Sequence, residues 1–222
     1  MKKYFVKTPW WVKKIYPSYI WNIKTDKNIL YLTFDDGPHP EITLFVLDLL
    51  KKFNAKATFF CIGKNVVAYP EVFQQICEEG HAVGNHTFCH LNGWKTKDED
   101  YLNDISEAAK VIGSGLFRPP YGKITTYQAN RLRNAMGVGN PEVIMWDVLS
   151  ADFDTDITPE KSVKNVLKNA RPGSIIVFHD SEKAYPRLET ALPATLDYFM
   201  RKGYQFERLS KISIYGSVDK KS

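Results

Sequence analysis

From residue 29 onward, short apolar runs alternate with stretches whose apolar residues recur at helical spacing. Ile29 to Phe34 reads as a strand. Glu41 to Phe53 then sets Leu44, Val46, Leu47, Leu50 and Phe53 on one helical face. Ala57 to Ile62 is a second apolar run, and Tyr69-Pro70-Glu71 opens a helix through Val72, Phe73, Ile76 and Cys77 that Gly80 stops. A short strand at Ala82-Val83-Gly84, a helical stretch from Lys97 to Ile112, a short strand at Leu116-Phe117 and a helical pattern from Thr125 to Met136 follow. Val143 to Trp146 is read as a strand, and Pro159 begins a helix, where proline suits the first turn. Ser174 to Phe178 is read as a strand, Leu188 to Met200 as a helix whose start Pro193 delays or kinks, and Tyr204 to Phe206 as the last strand.

About seven strand–helix alternations predict a parallel sheet covered by helices. The fold expected is α/β, a distorted (β/α)7-type barrel resembling a TIM barrel, with a doubly wound open sheet as the alternative. Either architecture puts chemistry at the carboxyl ends of the strands. Residues 29–210 are taken as one catalytic domain and 211–222 as a tail. Residues 1–28 carry Tyr4, Phe5, Trp10, Trp11, Tyr16, Tyr19 and Trp21 among lysines. This segment is read as a lid packed over one end of the barrel, because a soluble protein must bury so many rings somewhere; a membrane-surface anchor is the other reading.

The bulk numbers change this picture little. The chain has 222 residues, 44% hydrophobic and 25% charged, which suits one domain with a sizeable core. The net charge of +5 is spread among acidic residues, so it describes a basic surface rather than a nucleic-acid stripe. Cys61, Cys77 and Cys89 are odd in number and form no CxxC pair, which argues against a disulfide framework. No apolar run approaches the roughly 18 residues of a membrane span, and no cleavable leader is legible after Met1-Lys2-Lys3. The compartment is thus left unknown, cytoplasmic by the lack of a legible signal, and the sequence carries no signal for an oligomeric state.

Polar residues at the strand ends carry the chemistry. Asp35-Asp36-Gly37-Pro38 follows the first strand. One of the two carboxylates can ligate a metal and the other can act as a base if the chain curls at the Gly-Pro turn. His86 and His90 are four residues apart, so a helical turn or tight loop can aim both at one ion; a carboxylate from another strand end would complete a facial triad. Arg118-Pro119-Pro120-Tyr121-Gly122 is a rigid loop in which Arg118 can pair with a carboxylate and Tyr121 keeps an amide N–H. His179 ends an apolar strand and can be oriented by Asp152, with Asp147 as a competitor for that role. Tyr121, Phe88, Trp94 and Phe153 are the rings that can stack on a sugar.

These segments together resemble the polysaccharide deacetylase family, the NodB-homology domain of carbohydrate esterase family 4, over about residues 29–209. The matching motifs are Thr33-Phe34-Asp35-Asp36-Gly37-Pro38, His86-Thr87-Phe88-Cys89-His90, Arg118-Pro119-Pro120-Tyr121 and Ile175-Ile176-Val177-Phe178-His179. The resemblance implies a divalent metal, usually zinc, held by Asp36, His86 and His90. It also implies Asp35 as general base, His179 as general acid and the Tyr121 amide as an oxyanion donor. Phe153 follows Asp152 where the family usually has tryptophan, and Val177 stands where leucine is common. The implied activity is hydrolysis of N-acetyl groups on an N-acetylglucosamine glycan such as peptidoglycan or chitin oligomers, a substrate class found at the cell envelope. A small-molecule amidohydrolase, an O-acetyl esterase and an inactive glycan-binding module are the rivals.

Overall fold

The structure, a computed structural model, describes residues 4–210 and Ile214. The predicted tail at 211–222 otherwise lies outside the described residues. Seven strands form one parallel path in the order β5-β4-β3-β2-β1-β7-β6. They are β1 (Ile29–Asp35), β2 (Ala57–Cys61), β3 (Ala82–Asn85), β4 (Leu116–Phe117), β5 (Glu142–Val143), β6 (Val148–Leu149) and β7 (Ile175–His179). A further strand, β8 (Gln205–Phe206), pairs with the start of β1. The sheet is a curled, distorted (β/α)7 barrel with helices outside.

Strand parity explains how the sheet faces are used, because successive side chains in a strand point to opposite faces. Leu30, Leu32 and Phe34 of β1, Phe59 of β2 and Phe178 of β7 form the layer beneath the helices, with Phe34 stacked on Phe59 and Phe178 at 5.0 and 6.1 Å. Tyr31 and Ile175, of the opposite parity, meet Phe60 and Ile144 inside the barrel. Asp35 and His179 share that inward parity, and they are direct register partners across the β1–β7 pair. Burial on both faces is why these strands read as unbroken apolar runs.

Helix α1 (Trp10–Ile15) belongs to the N-terminal segment; α2 (Ile42–Lys52), α3 (Gly63–Ala68), α4 (Pro70–Glu78) and α5 (Asp98–Val111) follow. After them come α6 (Thr126–Ala129), α7 (Leu132–Met136), α8 (Pro159–Asn169) and α9 (Tyr185–Arg201). Three sequence expectations are corrected. The helix expected over 125–136 is broken into α6 and α7 at Asn130-Arg131, with Thr125 and Gln128 forming a capping box at its start. The strand expected at Val143–Trp146 stops after Val143, and a separate β6 begins at Val148, because the chain there leaves β4 and joins β7. Helix α9 starts at Tyr185 with Pro186 in its first turn and carries Pro193 inside, so Pro193 does not set its beginning. Its buried face of Leu188, Ala191, Leu192, Leu196 and Phe199 holds the helix together through the proline.

The described part of the N-terminal segment packs on the barrel. It runs along the seam between the edge strands β5 and β6. The Leu149 amide donates to Val6 O, Thr8 donates to Asp147 O, Ile20 to Val143 O and Ile23 to Gly173 O, at 2.8 to 2.9 Å. Asp147 anchors this strap: Lys7 and Lys13 pair with its carboxylate at 2.5 and 2.6 Å, and Ser174 donates to it at 2.6 Å. The lysine cations hold Asp147 below the usual carboxylate range although burial opposes its ionisation. Among the described residues no helix is long and apolar enough to cross a membrane.

Candidate active site

Parallel register lines up the strand ends. Asp35 neighbours His179 on one side and Phe60 on the other; Cys61 pairs with Asn85, and Asn85 with Phe117. The next residues along the chain, Asp36, His86 and Arg118, therefore leave the sheet at one rim. Extended backbone would send Asp35 and Asp36 to opposite faces, but Asp36 is left-handed, with φ of 85°. The resulting curl brings its Oδ1 to 3.3 Å from His90 Nε2 and 3.8 Å from His86 Nε2. Asp36, His86 and His90 are the cluster of possible metal ligands among the described residues, and their donor atoms all lie within 4.8 Å of one another.

This donor set fits a divalent cation. Metal–ligand bonds of about 2.0–2.1 Å in a tetrahedral site put donors roughly 3.3 Å apart, close to the spacings found. The His86 ring donates from Nδ1 to Arg118 O at 2.7 Å, which leaves Nε2 as the acceptor facing Asp36. Burial pushes the His86 ring down to about 4, so it is neutral near pH 7, as a ligand must be. Burial opposes ionisation of Asp36, yet the facing imidazoles of His90, His179 and His86 outweigh it and hold the carboxyl well below its usual range. A cation bound among these groups would favour the carboxylate as well.

Two further groups flank the cluster. Arg118, fully buried, donates Nη1 to Asp35 Oδ1 at 2.6 Å and to Thr33 Oγ1 at 2.7 Å, while Nε and Nη2 reach the carbonyls of Ile144 and Met145. A buried charge is tolerated only when paired and hydrogen-bonded, and each nitrogen of this guanidinium is used. On the other side Asp152 holds His179 at two points: Oδ1 contacts ring Nδ1 at 2.7 Å and Oδ2 accepts the backbone N–H at 2.8 Å. Burial pushes the His179 ring down, but the Asp152 carboxylate, aided by Asp36 and Asp35, overrides it and raises the ring to about 9. Asp147, the competitor for that place, is committed to the strap.

Backbone strain is concentrated here. Of the six non-glycine residues with positive φ among the described residues, five, namely Asp36, Thr87, His90, Tyr121 and Ala151, lie within this rim. Each costs on the order of 1–3 kcal/mol and persists only where its surroundings enforce it. Tyr121, at φ 59°, sits in a turn whose Gly122 and Lys123 amides bond to Pro119 O and Pro120 O. Among the described residues the Tyr121 amide has no backbone partner. Its ring lies 4.7 Å from that of His90.

Several residues that hold this geometry escaped the sequence reading. Asn85 accepts the Thr87 amide at 2.8 Å, and Asp104 of α5 accepts the Phe88 and Cys89 amides at 2.8 and 3.0 Å, pinning the histidine loop. Asn65 donates to Asp36 O at 2.7 Å. Asp180 accepts the Gly37 amide at 3.0 Å and the Thr43 hydroxyl at 2.5 Å. A Cβ on Gly37 would lie 2.1 Å from the Asp180 carboxylate, so only glycine fits the turn. The available signal was Asp104 on an otherwise apolar helical face and Asp180 directly after His179. Of the four candidate stacking rings, Phe88 packs against the core and is not available, while Phe153 lies edge-on to His179 at 5.1 Å. Trp94 and Tyr121 are 58% and 60% exposed.

Comparison with known proteins bears on the same segments. A family model described as polysaccharide deacetylase matches residues 22–138. The chain is 34% identical over 201 residues to a peptidoglycan-N-acetylglucosamine deacetylase of Bacillus cereus, covering 88% of this chain and 92% of that protein. It is 39% identical over 165 residues to a chitooligosaccharide deacetylase of Azorhizobium caulinodans, covering 71% and 76%. A crystal structure of a peptidoglycan N-acetylglucosamine deacetylase with a bound N-oxidanyl-benzamide superposes with a TM-score of 0.77 at 34% identity, covering 92% of this chain and 94% of that one. A Bacillus anthracis protein described as a CE4 family pseudoenzyme also shares the fold, with a TM-score of 0.74 at 22% identity, covering 87% and 68%, so the fold by itself does not guarantee turnover. With the matched model spanning the strand ends that carry both aspartates and both clustered histidines, the chain belongs to the polysaccharide deacetylase family.

Proposed function

We propose that this chain removes N-acetyl groups from an N-acetylglucosamine glycan of the peptidoglycan or chitin-oligomer type, releasing acetate, with a divalent cation, zinc by its two-imidazole, one-carboxylate donor set. One observation carries the reading: Asp36, His86 and His90 converge while Asp35 and His179 stand side by side on the adjoining strand ends. In this reading residues 29–210 are the catalytic unit, and the substrate class directs the protein to the cell envelope.

The geometry supports the following roles. Asp36, His86 and His90 hold the cation, which when bound acidifies water and polarises the acetyl carbonyl. Asp35, held by Arg118 Nη1 at 2.6 Å, accepts the proton of the attacking water. The water oxygen bonds to the acetyl carbon, and the Tyr121 amide donates to the oxygen that gains negative charge. His179, protonated up to about pH 9, gives its proton to the departing sugar nitrogen as the C–N bond breaks. Asp152 keeps the ring oriented and charged. Phe153 supports its edge in place of the usual tryptophan.

The test pairs metal analysis of purified protein with acetate release from N-acetylglucosamine oligomers, acetylated xylan and small amides. One equivalent of cation and acetate from the oligomers is the expected result. Turnover confined to esters or small amides, or a protein that takes up no divalent cation, would overturn the proposal.

A further inference from the structure

The N-terminal strap does more than fill the barrel seam. Between it and the loop at 121–124 lies a cleft of about 390 Å3, lined by Phe5, Trp11, Tyr16, Trp94, Tyr121 and Trp146 among others. That volume is in the range of about 300–1,000 Å3 typical of sites that take whole small-molecule ligands, and an acetyl group needs far less. The cleft reaches the reacting centre by both walls. Tyr121 packs on His90 at 4.7 Å. On the far wall Tyr4, also lining, packs on Phe153 at 5.4 Å, and Phe153 on His179 at 5.1 Å.

The lining identifies the class of ligand. Phe5, Trp11 and Trp94 are 57%, 47% and 58% exposed, an aromatic surface that a soluble domain seldom leaves open without use. The rings are fixed in advance. Trp11 stands perpendicular to Phe5 at 6.1 Å, and Trp94 is tied by its indole N–H to Ile124 O at 3.0 Å, with Lys123 Nζ 3.8 Å from its ring centre. Among the described residues no carboxylate lines the cleft, and the charged side chain in its lining is Lys123. Rigid ring faces with phenol and ammonium groups beside them complement a pyranose, which presents apolar C–H faces and a rim of hydroxyls.

We propose that this strap-built cleft binds the sugar units flanking the one that reacts, so that the N-terminal segment makes the enzyme selective for longer glycans. The inference rests on the deacetylase reading and adds to it a binding site outside the metal cluster, contributed by residues 4–21.

The neighbouring tryptophans of α1 supply the test. Trp11 lines the cleft; Trp10, 68% exposed, does not, and Lys14 Nζ lies 4.9 Å from its ring centre. The full metal-loaded chain is assayed for kcat/KM on N-acetylglucosamine dimer and hexamer. The parent should favour the hexamer, and Trp11→Ala should lower the hexamer-to-dimer ratio about fivefold, the scale of one aromatic contact. Trp10→Ala should keep the parent ratio. Calorimetry of hexamer binding to Asp35→Asn, with and without Trp11→Ala, should show the same loss without turnover. Phe5→Ala serves as a second variant should Trp11→Ala melt early. Acetate release that does not depend on length, or equal effects of the two tryptophan variants, would overturn the cleft and leave the deacetylase reading intact. Hexamer binding that is lost in Trp11→Ala, with no acetate from any oligomer, would overturn the deacetylase reading and retain the cleft.

Discussion

Strand β3 has a buried histidine at each end. His81 precedes it and His86 follows it, and burial pushes both rings down to about 4. Their free nitrogens face different things. His81 accepts the Ala57 amide at Nδ1, 3.2 Å away, and lies edge-on to Phe59 at the amino end of the sheet. His86 donates Nδ1 to a carbonyl and turns Nε2 towards Asp36 and the second imidazole. Burial and a low proton affinity are therefore not marks of function by themselves. What distinguishes the carboxyl end of the sheet is a lone pair left facing other candidate ligands, whereas at the amino end the same ring completes a backbone hydrogen bond.

The largest expected effect separates these two rings directly. His86→Ala should lose the metal, with affinity falling by more than the roughly 10–100-fold that follows loss of an outer partner, and activity should go with it. Equilibrium dialysis with zinc reads this; a His86→Ala protein that keeps one tightly bound cation would erase the contrast. Next, Asp35→Asn should retain the metal and lose about 10²–10⁴-fold in kcat, since it removes a base and leaves the ligands intact.

Smaller changes sharpen the comparison further. The His179 ring, raised to about 9, must be protonated to act as an acid, so kcat should fall as pH rises through that value. Asp152→Asn removes the main cause of the elevation and should move the alkaline limb of the pH profile down, towards the ordinary histidine value of about 6.5. An unmoved limb would show that another group sets it. The elevated ring also contributes stability that is complete below about 6.5 and disappears as pH climbs through about 9.

The smallest effect on activity belongs to His81→Ala, which should keep zinc stoichiometry and kcat while costing on the order of 1–3 kcal/mol in denaturant unfolding, from an orphaned Ala57 amide and a small cavity. His81 has its folded value below its unfolded one, so its share of stability is present above about 6.5 and is lost as pH falls towards about 4. The variant should therefore lose stability less steeply than the parent across that interval. Loss of zinc from His81→Ala would mean that the two ends of β3 are not independent.

Local order along the chain was enough for much of this. Strand parity is a property of consecutive residues, so Asp35 and His179 were bound to face inward once Phe34 and Phe178 faced the helices. The motif order pointed to Asp36, His86 and His90 as candidate ligands for a related reason, since their motifs stand just beyond the ends of β1 and β3. Weak local periodicity hides the departure from the expected strand at Val143–Trp146, because the chain between Val143 and Leu149 changes neighbours within a few residues.

Sequence alone determined the α/β alternation, the inward residues and the identity of the strand-end groups, because each depends on spacing within one segment. Tertiary structure decided which carboxylate meets which base: Asp152 reaches His179 while Asp147 secures Lys7 and Lys13, though the two aspartates are five residues apart. It also decided that Arg118 crosses the barrel to Asp35 and that the aromatic strap runs along the seam to wall a cleft. These pairings join residues from 27 to 140 positions apart, or depend on the angle at which a loop leaves a strand, and neither quantity leaves a period in the chain.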